Sequence, residues 1–221
     1  MASELQVRDK SAWMGRDFRE DNSWIVSLTK SQIGELSDAA RTCIARGLAV
    51  TDVKRSDFEL EAMAAVVEGW ADEINSGRGF LLVKGLPAAA IGDAMVRTIF
   101  WGIGLYMGSP VSQNSYGEML GEVYDEGVKM GTGRVRGYRT NQRLMFHTDR
   151  ADMVGLLCQR TARSGGLSSL VSSTRIYNEI AHNHPEYLAP LEHGYIHANM
   201  EEGGAFTTYR MPVYSVTDGT V

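Results

Sequence analysis

The sequence of 221 residues has few of the features that mark membrane, secreted or nucleic-acid-binding proteins. It contains no apolar run near the roughly 18 residues that a membrane-spanning helix needs, and its charged N-terminus lacks the apolar stretch of a signal peptide. Its two cysteines, Cys43 and Cys158, are too few for a disulfide framework. Its 27 acidic side chains outnumber its 22 basic ones, which argues against general nucleic-acid binding. We therefore predict a cytoplasmic protein that binds neither membranes nor nucleic acid.

What the chain does contain is the composition of a soluble globular domain. Apolar residues make up 43% of the chain and charged residues 22%, and both values are close to average. A chain of this length can bury one substantial core, so residues 1–221 are predicted to form a single domain. The sequence leaves open whether that domain forms a homo-oligomer.

The first third of the chain has the pattern of amphipathic helices. In "TKSQIGELSDAARTCIARG", Thr29 and Gln32 have the spacing of a capping box, which predicts a helix that begins there. In "SDFELEAMAAVVEGWADEINSG", Ser56 and Glu59 have the same spacing, and Gly77 is the predicted end of the helix. A third helix is expected over 88–107.

Two glycines, Gly102 and Gly104, are expected to weaken the last turns of the third helix. Before that helix, "GRGFLLVKGLP" predicts a short apolar strand bounded by glycine and proline. After residue 108, one further helix is predicted near 173–182, with Ser173 or Thr174 as its cap. Short β-like runs surround it: "EMLGEVYD", "RLMFH", "DMVGLLCQR", "LSSLVSS", "GYIHANM" and "PVYSV".

Helices followed by many short strands predict an α+β fold, with a jelly-roll core and the N-terminal helices packed outside it. The last predicted strand leads into a turn at Asp218-Gly219, which normally connects to a returning strand. We therefore expect that further chain belongs after Val221.

The stretch "FHTDRADMVGLLCQR" contains the candidate metal ligands His147 and Asp149. In a strand, residues two apart point to the same face, so an imidazole nitrogen and a carboxylate would lie side by side. Two histidines and one carboxylate on one face form the facial triad of non-haem Fe(II) oxygenases. The alternative is that Asp149 only accepts hydrogen bonds from turn amides at a strand end.

A basic stretch, 131–143, lies just before His147 and contains Arg134, Arg136, Arg139 and Arg143. This stretch is either a loop whose arginines are solvated or a cationic lid that covers an anionic ligand. The sequence alone leaves both interpretations open.

The segment "FHTDRADMVGLLCQRTARSGGLSSLVSS" resembles the TauD/TfdA-like family of Fe(II)/2-oxoglutarate-dependent dioxygenases. "GRGFLLVKGLP" and "GSPVSQNSYGEMLGEVYDEG" resemble the parts of that family that precede the iron strand, in the same order. The resemblance implies a double-stranded β-helix (jelly-roll) core. It also implies that His147 and Asp149 bind Fe(II) and that Ser168, in "GGLS", binds a carboxylate of 2-oxoglutarate. The family's third ligand, a histidine, and its 2-oxoglutarate-binding arginine lie near the C-terminus, and this sequence ends before either of them.

The function implied by the resemblance is oxidation of a small-molecule substrate by dioxygen, with release of succinate and CO₂ from 2-oxoglutarate. Hydroxylation is the default outcome. Two alternatives remain at this stage: a catalytically inactive jelly-roll module for binding or assembly, and a metal-dependent cupin-like hydrolase or isomerase. His197 does not match the position of the third ligand.

Overall fold

The computed structural model describes residues 6–114, 116–128, 137–200 and 206–217. Within these ranges the chain forms helices and two small sheets. The helices are α1 (Lys30–Ala45), α2 (Ala62–Ser76), α3 (Ala88–Ile91), α4 (Asp93–Met107), α5 (Ser173–Asn183) and α6 (Leu188–His193). The strands are β1 (Ile25–Ser27), β2 (Leu82–Lys84), β3 (Tyr195–Met200) and β4 (Phe206–Met211). None of the described helices is both long enough and apolar enough to cross a membrane.

The start of α1 is the capping box that the sequence predicts. The Thr29 hydroxyl accepts a hydrogen bond from the Gln32 backbone N–H at 3.2 Å, and the Gln32 side chain accepts one from the Thr29 N–H at 2.9 Å. Two of the unpaired donors at the helix start are satisfied within four residues of sequence.

The start of α2 differs from its prediction, because the helix begins at Ala62 and not after Ser56. The carboxylate of Glu35, on α1, accepts hydrogen bonds from the backbone N–H groups of Glu61 at 2.6 Å and Met63 at 3.1 Å. A neighbouring helix therefore caps α2, and the local Ser56 and Glu59 pattern is not used. The predicted end at Gly77 is confirmed.

The predicted third helix is divided at Gly92, which has a φ of 85°. The short helix α3 precedes this residue and α4 follows it, because a left-handed φ does not continue an α-helix. Helix α4 continues without interruption through Gly102 and Gly104 to Met107, so the two glycines do not end it; the propensity cost expected at these positions stays a prediction.

The main core lies between α1, α2 and α4. Its fully buried apolar side chains are Leu36, Ala40, Cys43, Phe58, Met63, Val67 and Ile99. Each large side chain of this kind contributes about 1.5–3 kcal/mol when it is removed from water. The Tyr106 hydroxyl donates to the Phe58 carbonyl and accepts from the Leu60 N–H, both at 3.0 Å, so this buried polar atom is paired.

Parallel pairing joins β1 to β2, and this confirms the strand predicted in "GRGFLLVKGLP". Antiparallel pairing joins β3 to β4, with His197 opposite Tyr209, and β3 confirms the strand predicted in "GYIHANM". The structure is thus a mixture of helices and small sheets, as an α+β fold requires.

Five other predicted strands are not formed among the described residues: "EMLGEVYD", "RLMFH", "DMVGLLCQR", "LSSLVSS" and "PVYSV". A strand requires a neighbour for its backbone hydrogen bonds, and residues 141–171 make no ladder with any described segment. Their apolar side chains are accordingly exposed, by 77% at Met145 and 95% at Leu167. "PVYSV" packs on α6, where the Val213 N–H donates to the Leu191 carbonyl at 2.8 Å.

Helix α5 begins at Ser173, where the sequence predicts it, and ends at Asn183. Its cap is Ser172, whose hydroxyl accepts from the Arg175 N–H at 2.8 Å, and not Ser173 or Thr174. The helix buries Tyr177 and Ala181 in a second hydrophobic cluster with Leu188 of α6. This second cluster shares no residue with the main core.

Candidate metal and co-substrate site

The predicted metal ligand His147 lies in an exposed segment that is neither helix nor strand. Its Nδ1 atom is 2.7 Å from the carbonyl oxygen of Met145. A carbonyl oxygen can only accept, so Nδ1 carries a proton, and in the neutral imidazole the lone pair is on Nε2. Metal-bound histidines are held in the same way, with the second ring nitrogen donating to a carbonyl or carboxylate. The structure therefore presents His147 in the tautomer that binds a metal through Nε2.

The second predicted ligand, Asp149, is also exposed. Among the described residues, no hydrogen bond or ion pair engages its carboxylate, although many other carboxylates of the chain are paired. The alternative prediction, that Asp149 accepts hydrogen bonds from turn amides, is therefore not what these residues show. Its oxygens remain available for a cation.

An imidazole nitrogen and a carboxylate oxygen are ligands that suit a first-row divalent metal such as Fe(II). They are two ligands, however, and the described ranges contain no group of three His, Cys, Asp or Glu residues that could hold a metal ion. His197 belongs to no such group, and its imidazole stacks on Tyr209 with ring centroids 5.7 Å apart. His184 stacks on Tyr187 in a similar way, at 5.2 Å.

A contact that the sequence did not predict joins the segment of the candidate ligands His147 and Asp149 to the β3–β4 sheet. The guanidinium carbon of Arg150 lies 4.9 Å from the centre of the Tyr209 ring, a cation–π distance. Arg150 directly follows Asp149, so this contact connects the segment to a strand that is almost 60 positions further along the chain. No local pattern around either residue signals the contact.

The predicted co-substrate residue Ser168 is exposed and follows a glycine turn. Gly165 and Gly166 both have a φ of 71°, which confirms the turn that the sequence predicts at these residues. Ser168 is four residues before Ser172, the cap of α5. Ser168, the residue predicted to bind 2-oxoglutarate, therefore lies in a short segment that leads into α5.

The basic stretch is only partly described, and Arg134 and Arg136 lie outside the described residues. Arg139 donates two hydrogen bonds to the Glu126 carboxylate, both at 2.6 Å. These bonds lower the pKa of Glu126 below its ordinary value. Arg139 therefore directs the paired donors of its Nε and Nη2 atoms at Glu126.

The comparison with protein families identifies the class of protein to which this fold and these residues belong. Residues 45–216 match the model of the "Taurine catabolism dioxygenase TauD, TfdA family". The chain belongs to this family, and the matched range contains His147, Asp149 and Ser168.

Two characterised relatives give the comparison more detail. The chain is 27% identical over 216 residues to FR-33289 synthase of Streptomyces rubellomurinus, an alignment that covers 96% of this chain and 64% of the relative. It is 24% identical over 198 residues to the taurine hydroxylase-like protein SAT17 of Stachybotrys chartarum, which covers 86% of this chain and 51% of that relative. The chain thus spans less than two thirds of the length of either protein.

Proposed function

We propose that this protein is an Fe(II)- and 2-oxoglutarate-dependent oxygenase that oxidises a small molecule. The chain belongs to the TauD, TfdA family. Within it, the observation that supports this function most directly is that the donor atoms of His147 and Asp149 are available to a metal. Nε2 of His147 has a free lone pair, and the Asp149 carboxylate has no partner among the described residues. A jelly-roll core around this pair is part of the proposal, since it is the fold that the family implies.

The roles of the residues follow from their donor atoms. His147 binds the metal through Nε2, and Asp149 binds it through a carboxylate oxygen. Bound Fe(II) supplies the redox chemistry with dioxygen and 2-oxoglutarate, whose products are succinate and CO₂. The Ser168 hydroxyl donates a hydrogen bond to the far carboxylate of 2-oxoglutarate and orients it. The carbonyl of Met145 keeps the proton on Nδ1 and so keeps His147 competent as a ligand.

Metal binding is the first test of this function. Metal-free protein is titrated anaerobically with Fe(II), in the wild type, His147→Ala and Asp149→Ala. His182→Ala is the matched control, since His182 is an exposed histidine at the end of α5. Loss of a ligand is expected to raise the metal dissociation constant by at least about tenfold, while the control keeps the wild-type value.

Product analysis is the second test and separates the alternatives. An oxygenase releases succinate only when 2-oxoglutarate and dioxygen are both present. Turnover of a substrate without dioxygen would point to a cupin-like hydrolase or isomerase. Equal and poor metal binding by the wild type and His147→Ala, also in a chain extended past Val221, would refute the oxygenase and favour a metal-free binding module.

A further inference from the structure

An N-terminal strap, defined as Val7–Trp13, lies outside the range matched by the family, which starts at residue 45. One end of the strap contacts α5, and the other end contacts the residues just before β2. The strap therefore connects the second hydrophobic cluster, on α5 and α6, to the helical layer that contains the main core.

The first contact of the strap is with the side chain of Asn178, which is 6% exposed. The Asn178 amide nitrogen donates to the Val7 carbonyl at 2.7 Å, and its oxygen accepts from the Val7 N–H at 2.9 Å. A single side chain thus pairs with both backbone groups of one residue, as a neighbouring strand would. A buried amide with both ends satisfied fixes the position of the strap on α5.

The second contact is at the start of α5. The Ser172 hydroxyl donates to the Ser11 carbonyl at 2.5 Å while it accepts from the Arg175 N–H as the helix cap. The hydroxyls of Ser11 and Thr174 are hydrogen-bonded at 2.8 Å. The residue that caps α5 is therefore also a residue that holds the strap.

The other end of the strap is attached to the helical layer through Trp13. Its indole N–H donates to the Arg78 carbonyl at 2.7 Å. Its ring packs edge-to-face on Phe18 and Phe80, with centroids 5.3 and 5.1 Å away. Each aromatic pair of this kind contributes about 0.5–1.5 kcal/mol beyond its buried area.

No other hydrogen bond duplicates this connection within the part of the chain that the structure describes. All the hydrogen bonds there that join residues 172–217 to residues 6–171 end on Val7 or Ser11. The strap therefore supplies the hydrogen bonds that hold α5 against the helical layer, and the cation–π contact between Arg150 and Tyr209 is a further link between the two parts of the chain. Ser168 precedes the cap of α5 by four residues, so α5 anchors the end of the short segment that carries that hydroxyl.

We propose that the N-terminal strap is a positioning element of the co-substrate site: by holding Ser172 and Asn178 it places the Ser168 turn for 2-oxoglutarate. This inference rests on the proposed function of Ser168. It assigns a role to residues 7–13, which lie outside the matched range. The strap acts through α5 and does not itself contact the co-substrate.

The docking of the strap is tested by limited trypsin digestion, because Arg8 and Lys10 lie within it and are exposed. Cleavage requires local opening, and its rate follows the open fraction when opening is fast. Asn178→Ala removes both bonds to Val7, so cleavage at these two sites is expected to accelerate about tenfold. Asn183→Ala is the matched control, since the side chain of this exposed asparagine on the same helix bonds, among the described residues, only to the Glu179 side chain, at 3.1 Å. Equal cleavage rates in the wild type and Asn178→Ala would overturn the docking.

The positioning role is tested by comparing two dissociation constants in the same variants, with Co(II) as a redox-inert metal. Asn178→Ala is expected to weaken 2-oxoglutarate binding severalfold and to leave the Co(II) dissociation constant unchanged. Unchanged 2-oxoglutarate affinity together with faster cleavage would refute positioning and leave the strap a structural element. If the wild type binds no 2-oxoglutarate, the proposed function fails and this role fails with it. Ser11→Ala is a milder variant for the same measurements if Asn178→Ala does not fold.

Discussion

Two glycines on α4, Gly102 and Gly104, are expected to respond to the same substitution in opposite directions. At Gly102, a Cβ atom would come within 2.5–2.6 Å of three atoms of the Phe58 ring. At Gly104, which is exposed, it would meet nothing within 4 Å. Both residues are within the helix, so alanine has the same helix-propensity advantage of about 1 kcal/mol over glycine at each.

The difference between the two positions comes from packing. Phe58 is 0% exposed, and its carbonyl accepts the hydrogen bond from the Tyr106 hydroxyl at 3.0 Å. The ring therefore has little room to move away from a new methyl group, and overpacking of this kind costs about 2–3 kcal/mol. Gly102→Ala should then lower the free energy of unfolding by about 1–2 kcal/mol after the propensity gain. Gly104→Ala should raise it by about 0.5–1 kcal/mol.

Urea unfolding followed by far-ultraviolet circular dichroism measures both changes, and Gly104→Ala serves as the control for helix propensity. The two midpoints should shift in opposite directions. If Gly102→Ala is as stable as Gly104→Ala, Phe58 does not occupy the space above Gly102, and the packing described for this core is wrong.

Other expectations concern the cap of α1 and the cysteines. Thr29→Ala should lower the free energy of unfolding by about 1 kcal/mol, whereas Thr29→Ser, which keeps the hydroxyl that accepts from Gln32, should remain near wild type in the same urea assay. A thiol reagent should modify the exposed Cys158 quickly and the buried Cys43 only on unfolding. Burial raises the pKa of Cys43, so the unfolded state loses this proton first, and stability should fall as the pH rises above about 8.5. Equal reactivity of both thiols in native protein would contradict the burial of Cys43.

The helices show which local signals are sufficient for prediction. The start of α1 was predictable because Thr29 and Gln32 satisfy each other's backbone groups within four residues. The start of α2 was not, because its cap is the carboxylate of Glu35 on another helix. The sequence around Ser56 has the spacing of a capping box, but the contact between α1 and α2 places the start of the helix at Ala62 instead.

The strands show what a local pattern cannot predict, namely the segment with which a strand pairs. "GYIHANM" forms a strand because β4 lies beside it, whereas residues 152–160, which are also apolar, pair with no described strand. Alternation and β-branched residues are properties of one segment, but a ladder of hydrogen bonds belongs to two. Sequence patterns therefore identified candidate strands without determining which of them pair.

For the site, the sequence by itself determined which donor atoms are present at His147, Asp149 and Ser168, and these residues lie within the range that matches the family. Only the tertiary structure decided which nitrogen of His147 donates a hydrogen bond and how α5, the helix after Ser168, is held in place. The carbonyl of Met145 sets the tautomer of His147, and the strap fixes α5 after Ser168. Hydrogen bonds between Val7 and Asn178 join residues 171 positions apart, a contact that no pattern within one segment encodes.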